Sequence, residues 1–199
     1  MRREHIVGVM LVLVPAVLAA GCDGDDAEPE WPVEPDVLML FRFEEFTSAS
    51  RTDGGEIALR SLMGKVVLLN LFGTWSSDCR RSTPLLVSLY ERYRDQGFEI
   101  IGLAYEQTQD VAQTKRAAEA FRDEFKVPYI LAVGPGILWR ELQQNANAMG
   151  DLPTIVLMDR QGVVRDVFEG LPRGREAVLA DRIERLLAEP YVPLAERGG

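Results

Sequence analysis

Apolar residues along the chain alternate between continuous runs and stripes at helical spacing. Residues 66–72 and 98–104 are almost wholly apolar, which is typical of strands buried on both faces in an α/β sheet. The segment between the two runs carries the apolar stripe of a helix, formed by Leu85, Leu86, Leu89 and Tyr93. We therefore predict a strand, a helix and a second strand in succession.

Beyond residue 104 the pattern predicts two more helices around a short strand. The helices span residues 111–125 and 138–148, and the strand spans residues 127–133. The apolar face of the first of these helices is formed by Ala117, Phe121 and Phe125.

The last part of the chain is predicted to form a hairpin and a helix. Pro153 opens a strand, residues 159–162 form a turn, and the chain returns antiparallel. The final helix is marked by an apolar stripe of Leu179, Ile183, Leu186 and Leu187.

Another predicted hairpin precedes the first long strand. The tripeptide Asp-Gly-Gly at residues 53–55 lies between short apolar segments at residues 46–52 and 56–59, which is a strong turn signal. No internal repeat or second domain competes with one domain over residues 37–189.

The amino-terminal residues have the pattern of an export signal. Residues 1–21 combine a basic start, an apolar run and small residues before Cys22, and the run is too short to span a bilayer. Residues 18–22 (Leu-Ala-Ala-Gly-Cys) resemble a bacterial lipobox, which implies cleavage before Cys22 and acylation of its thiol. Because Ala19 stands where a lipobox usually has leucine, the alternative is an ordinary signal peptide that leaves Cys22 free.

The segments on either side of the predicted domain are polar. Residues 22–36 are acidic and contain several prolines, so we interpret them as a tether. Residues 190–199 are predicted to form a flexible tail. Together with the lipobox, the tether predicts an exported protein that is lipid-anchored in the bacterial cell envelope and faces the periplasm.

Charge and composition exclude several classes of function. The chain has a formal net charge of -9, and the part from Cys22 onward keeps 20 basic and 30 acidic residues, which argues against a nucleic-acid partner. The only histidine is His5, inside the export signal, so catalytic triads and histidine metal ligands are excluded. With two cysteines in total, a cysteine-only zinc site is excluded as well, and we predict no metal and no cofactor.

Candidate chemistry lies just after the first long strand. Residues 76–78 (Ser-Ser-Asp) supply helix-capping side chains, so Cys79 is predicted in the first turn of a helix at the carboxyl end of a central strand. The helix dipole and the neighbouring Arg80 and Arg81 favour a thiolate there.

This region resembles the redox segment of TlpA-like thioredoxin-fold proteins, which are membrane-tethered thiol-disulfide oxidoreductases of bacteria. The resemblance is carried by Lys65-Val66-Val67-Leu68, Asn70, Trp75, Cys79 and Pro84. The family has Trp-Cys-x-x-Cys at this point, and Ser76 replaces the first, attacking cysteine. The resemblance covers about residues 37–189 and implies a thioredoxin-like α/β fold, with a central mixed sheet flanked by helices and an N-terminal β-hairpin extension.

The same resemblance extends to residues 150–154, Gly-Asp-Leu-Pro-Thr. Family members carry Gly-x-x-Pro-Thr here, and their proline has a cis peptide bond and lies against the active site. The resemblance therefore implies a cis peptide bond before Pro153, and a substrate groove between Trp75 and Pro153.

Several functions remain open for this site. Ser76 cannot replace a thiolate without an activating base, so we interpret it as a helix cap. Cys79 is the candidate catalytic residue for monothiol exchange with a thiol or disulfide protein, or else a small buried structural residue. The groove also suits a non-catalytic module that binds an extended polypeptide.

A further alternative is peroxide reduction by Cys79. The spacing Ser76-x-x-Cys79 resembles the second half of the peroxiredoxin motif Pro-x-x-x-Thr/Ser-x-x-Cys. Two residues depart from that family's pattern. Phe72 occupies the position of the motif's proline, and Pro153 stands near the position of the arginine that stabilises the transition state.

Overall fold

Seven strands and four α-helices make up the part of the chain that this computed structural model describes, residues 48–145, 150–171 and 176–192. The strands are β1 (Ser48–Ser50), β2 (Glu56–Ala58), β3 (Val66–Phe72), β4 (Phe98–Ala104), β5 (Ile130–Val133), β6 (Thr154–Met158) and β7 (Val164–Glu169). The helices are α1 (Ser77–Tyr93), α2 (Val111–Phe125), α3 (Gly136–Asn145) and α4 (Glu176–Ala188). Short 3-10 turns at Leu59–Leu62 and Arg94–Gln96 complete the described elements.

The central sheet has the strand order β5-β4-β3-β6-β7. Strands β3, β4 and β5 are parallel to one another, and β6 pairs antiparallel with both of its neighbours, β3 and β7. Helices α1 and α2 connect the parallel strands. A parallel connection must bring the chain back to the same end of the sheet, which a tight turn cannot do. The prediction of a central mixed sheet flanked by helices is confirmed.

Every residue of β3 and β4 is buried, as their continuous apolar runs predicted. On one face of the sheet, residues of β3 and β4 join a hydrophobic core with the first hairpin and α3. The core places the carboxyl end of β3 at the centre of the sheet, where the chain enters α1. This edge carries the candidate site.

The predicted N-terminal hairpin is confirmed. Strands β1 and β2 pair antiparallel around the Asp-Gly-Gly turn, and the hairpin contacts the edge strand β5. The Thr52 amide donates to the Leu131 carbonyl at 3.0 Å, and Ala49 and Ile57 enter the core. The hairpin therefore covers the end of the sheet at β5.

Several sequence predictions need adjustment. On α2 the buried positions are Thr114, Ala118 and Phe121, whereas Ala117 is only half-buried. The sequence predicted Ala117 on the apolar face, whereas the buried alanine is the next residue, Ala118. Two adjacent alanines give too weak an apolar signal to tell these positions apart. Strand β5 is shorter than the predicted 127–133, and α3 begins before Leu138.

The predicted second hairpin is also present, with its turn held by Asp159. The carboxylate of Asp159 accepts hydrogen bonds from the Gln161 and Val163 amides, at 2.8 Å and 3.0 Å. The predicted export signal, Cys22 and the predicted tether lie outside the described residues, as do most of the predicted C-terminal tail and residues 146–149. Within the described ranges, none of the helices has the length and hydrophobicity needed to cross a bilayer.

Candidate functional site

Ser76 is the N-cap of α1. Its backbone is extended, with φ -79° and ψ 122°, and its side-chain oxygen accepts a hydrogen bond from the Cys79 amide at 3.3 Å. This arrangement satisfies one of the free amides at the helix start. Cys79 accordingly lies in the first turn of α1, just beyond the carboxyl end of β3, as the sequence predicted.

The thiol of Cys79 is enclosed. The residue is only 1% exposed to solvent, and burial raises the pKa of the thiol above its ordinary value. Hydrogen bonds with the Ser76 side chain and the Gly73 backbone oppose this effect on the pKa, whereas the charges of Asp78 and Glu106 add to it. The surroundings of Cys79 therefore favour the neutral thiol over the thiolate.

Arg80 and Arg81 do not provide the expected stabilisation of a Cys79 thiolate. The Arg80 guanidinium pairs with the Glu124 carboxylate and lies 5.0 Å from the centre of the Phe125 ring. Arg81 pairs with Asp78. Both guanidinium groups are directed to these partners, so the prediction of an arginine-stabilised thiolate is wrong for this structure. Asp78 is a sequence neighbour of Arg81, whereas Glu124 lies 44 positions from Arg80 and gives no local signal.

Trp75 stands at the surface beside the cap. It is 53% exposed, and its indole Nε1 donates to the Tyr105 carbonyl at 3.3 Å. A Cβ atom at Gly73 would lie 2.5 Å from the same indole nitrogen, so only glycine permits the ring to lie this close to the backbone. The Tyr105 ring in turn contacts the Trp139 ring, with 5.0 Å between the ring centres.

The loop before β6 contacts the Ser76 cap. The Leu152 to Pro153 peptide bond is cis, as the resemblance implied. The Ser76 hydroxyl donates to the Leu152 carbonyl over 3.4 Å, and the Pro153 carbonyl accepts from the Gly170 amide at 2.7 Å. Ser76 therefore contacts both Cys79 and the proline loop, with Trp75 adjacent to it in the chain.

Two residues of this region were missed by the sequence analysis. The Glu106 carboxylate accepts hydrogen bonds from the Thr74 amide at 2.8 Å and from the Thr74 hydroxyl at 2.9 Å. Tyr105, the residue before it, accepts the hydrogen bond from Trp75. The available signal was their position directly after β4, since the ends of neighbouring parallel strands meet at one edge of a sheet.

The site contains no evident metal ligands. In the part of the chain that the structure describes, three or more histidine, cysteine or acidic side chains do not come together in a group that could hold a metal ion. Cys79 is unpaired in the structure.

The chain is similar in sequence to known thiol-disulfide oxidoreductases. The thiol-disulfide oxidoreductase ResA of Geobacillus thermodenitrificans is 34% identical over 122 residues, which cover 61% of this chain and 64% of that protein. ResA of Bacillus subtilis is 31% identical over 121 residues, covering 60% and 61% of the two chains. The matched region thus spans less than two thirds of the length of either relative.

Solved structures show the same fold. A thiol:disulfide interchange protein of the thioredoxin family from Chlorobium tepidum aligns with a TM-score of 0.60 and 24% sequence identity, over 71% of this chain and 92% of that one. The prediction of a thioredoxin-like fold is confirmed. A profile of the AhpC/TSA family matches residues 42–167, which is well over half of the sequence, and the chain therefore belongs to the AhpC/TSA family of thioredoxin-fold proteins.

Proposed function

We propose that this protein is a cell-envelope polypeptide-binding module that is related to thiol-disulfide oxidoreductases and has lost catalytic turnover. The observation that carries the proposal is the state of its sulfur: Cys79 is 1% exposed and lies beneath a serine cap. The ligand binds in a groove between Trp75 and Pro153, and Cys79 acts at most as a slow monothiol.

The loss of turnover follows from the chemistry of the exchange. A dithiol site attacks a disulfide with one thiolate and releases the product with the other. Here the attacking position holds the Ser76 hydroxyl, which is occupied as a helix cap. The remaining thiol is buried with a raised pKa, and both factors slow its attack.

Peroxide reduction is less well supported than binding. That reaction requires a thiolate and a cation to stabilise the developing charge on the peroxide oxygens. Arg80 and Arg81 are the cations nearest to Cys79 in sequence, and each one pairs with a carboxylate. The proline loop occupies the other side of the cap.

Binding is supported by features that do not need a thiolate. The Trp75 ring is exposed on a hydrogen-bonded support, and the cis-proline loop lies on the other side of Ser76. Exposed aromatic side chains on rigid supports are common anchors for peptide ligands. The proposed ligand is an extended polypeptide that contacts both the Trp75 ring and the Leu152 to Pro153 segment.

The thiol part of the proposal is tested by labelling and by turnover. In the full chain with Cys22→Ser, which leaves Cys79 as the only thiol, Ellman's reagent should react slowly under native conditions and promptly in denaturant. Insulin reduction should show no multiple turnover. Prompt native labelling together with sustained insulin reduction would contradict the proposal.

The binding part is tested with reduced, carboxymethylated α-lactalbumin, a permanently unfolded polypeptide without free thiols. Trp75→Ala should weaken its binding about tenfold, since the anchor of an interface typically contributes more than ~1 kcal/mol. The matched control is Val178→Ala, which removes an apolar side chain that is 43% exposed on α4. Equal binding by wild type and Trp75→Ala would rule out this groove.

The proposed location depends on the amino-terminal sequence. We infer export through residues 1–21 and acylation of Cys22, with residues 22–36 as the tether to the membrane. Labelled fatty acid should enter the wild type and not Cys22→Ser. A soluble exported protein with an unmodified Cys22 would show that the segment is an ordinary signal peptide.

A further inference from the structure

The loop between β3 and α1 is held by one carboxylate. Glu106, half-buried just beyond the end of β4, accepts from both the backbone amide and the hydroxyl of Thr74, at 2.8 Å and 2.9 Å. Hydrogen bonds to a charged acceptor are stronger than neutral ones. Thr74 lies directly before Trp75, so the position of its backbone sets the position from which the Trp75 side chain extends.

The residue before Glu106 extends this support. The Tyr105 carbonyl accepts from the Trp75 indole, while the Tyr105 amide donates to the Phe72 carbonyl at 2.7 Å and its hydroxyl donates to the Pro135 carbonyl at 2.9 Å. Two successive residues after β4 thus provide three hydrogen-bond acceptors to Thr74 and Trp75. Tyr105 is itself fixed at both ends.

We propose that Glu106 is a positioning residue of the groove. It holds the Thr74 backbone and hydroxyl so that the Trp75 indole keeps its place at the Tyr105 carbonyl and Ser76 keeps its hydrogen bond with the Cys79 amide. The inference rests on the proposed function of this site as a polypeptide groove, but it concerns the resting structure and is tested without a ligand.

Glu106 acts on the site in two separable ways. Its hydrogen bonds hold the loop, and its negative charge is one of the influences that raise the pKa of Cys79. Thr74→Val removes one hydrogen bond and leaves the carboxylate charge in place. Glu106→Gln removes the charge and one of the two acceptor oxygens.

The experiment compares these two variants with a distant control in the full chain carrying Cys22→Ser. The control is Glu184→Gln, since the Glu184 carboxylate also accepts from two side chains, at 2.5 Å and 3.0 Å. Its partners, Arg92 and Tyr93, lie at the opposite end of α1 from Cys79. The readouts are the Trp75 indole NMR cross-peak, assigned with Trp75→Phe, and the pH profile of Cys79 alkylation by iodoacetamide.

We expect both loop variants to shift the Trp75 cross-peak and to speed Cys79 alkylation, by about tenfold for Glu106→Gln and about threefold for Thr74→Val. Glu106→Gln should move the midpoint of the pH profile further to lower pH than Thr74→Val does, because it also removes a negative charge near the thiol. Glu184→Gln should change neither readout, even if it lowers the melting temperature.

The proposal is overturned if the Trp75 cross-peak and the alkylation rate of both loop variants equal those of the wild type. A shifted pH midpoint without movement of Trp75 would also overturn it, because the charge would then act without positioning the loop. If Glu106→Gln does not fold, Thr74→Val alone decides the outcome. Failure of the α-lactalbumin test would reject the groove's function and leave these readouts unaffected.

Discussion

Replacing Ser76 with cysteine should restore a working dithiol. The Ser76 oxygen lies 3.3 Å from the Cys79 amide, so the side chain at position 76 is directed toward the first turn that carries Cys79. Residues three apart on a helix have Cβ atoms ~5–6 Å apart, whereas a disulfide needs ~3.5–4.5 Å. Because Ser76 is an extended cap residue, a small rotation of its backbone closes this gap.

The stability of Ser76→Cys should depend on its redox state. Loss of the serine cap costs about 1 kcal/mol, and a disulfide that closes a four-residue loop contributes about 2 kcal/mol in the chain-entropy description. The reduced variant should therefore be less stable than wild type by about 1 kcal/mol, and the oxidised variant more stable by about the same amount. Ser76→Ala is the matched control, because it loses the cap and gains no sulfur.

The new thiol should also differ from Cys79 in reactivity. It would sit at the N-cap, where the helix dipole lowers a cysteine pKa, while burial raises the pKa of Cys79. One sulfur is then suited to attack and the other to resolve the mixed disulfide. Insulin reduction with multiple turnover should appear in Ser76→Cys and stay absent in Ser76→Ala.

The measurements are urea unfolding with and without dithiothreitol, free-thiol counting and the insulin assay. They should be made with Cys22→Ser throughout, so that no other thiol contributes. A folded Ser76→Cys variant that keeps both thiols free under mild oxidant would mean that the two side chains do not face each other. The dithiol geometry inferred for this helix start would then be refuted.

Two further predictions concern charges at the base of the sheet and at the end of α1. Lys65→Met should destabilise the protein by about 2 kcal/mol, because the buried Glu99 carboxylate, in a residue 8% exposed, would lose the Lys65 ammonium that lies 3.0 Å away. Lys65→Arg is the control, since it keeps the positive charge. Equal urea midpoints for the two variants would contradict the argument. Burial and the hydrogen bond to Glu184 raise the pKa of Tyr93 from about 10 to about 12. The associated stability is fully present below pH ~10 and is lost as the pH rises toward 12. Tyr93→Phe should lack this loss in urea titrations, and an unchanged alkaline slope would show that Tyr93 is not its source.

The fold could be predicted largely from local patterns. Strands β3 and β4 are buried on both faces, so each one forms a continuous apolar run that sequence alone identifies. The first hairpin was found from its Asp-Gly-Gly turn. The weaker predictions fell on α2 and β5, where a half-buried Ala117 and the short edge strand give little contrast between apolar and polar positions.

The site was predictable only in part. Capping chemistry is local, so the N-cap role of Ser76 and the first-turn position of Cys79 followed from residues 76–79. The state of the thiol depends on residues far away in the chain. Glu124 pairs with Arg80 across 44 positions, and Glu106 contacts Thr74 across 32. Contacts of that separation carry no local sequence pattern, which is why Glu106 was missed and why the sequence left open whether Cys79 is a thiolate or a small buried residue.

Position 76 holds a hydroxyl and no nucleophilic sulfur, and its hydrogen bonds tie the start of α1 to the proline loop. Serine is a better N-cap than most residues. Here its hydroxyl oxygen accepts a hydrogen bond from the Cys79 amide, and its hydroxyl group donates one to the Leu152 carbonyl. The cis-proline loop, the helix start and the Trp75 support therefore keep their geometry without any sulfur at the cap. Under the proposed function, the groove between Trp75 and Pro153 needs no thiol to keep its form, so we expect polypeptide binding to be the same under oxidising and reducing conditions.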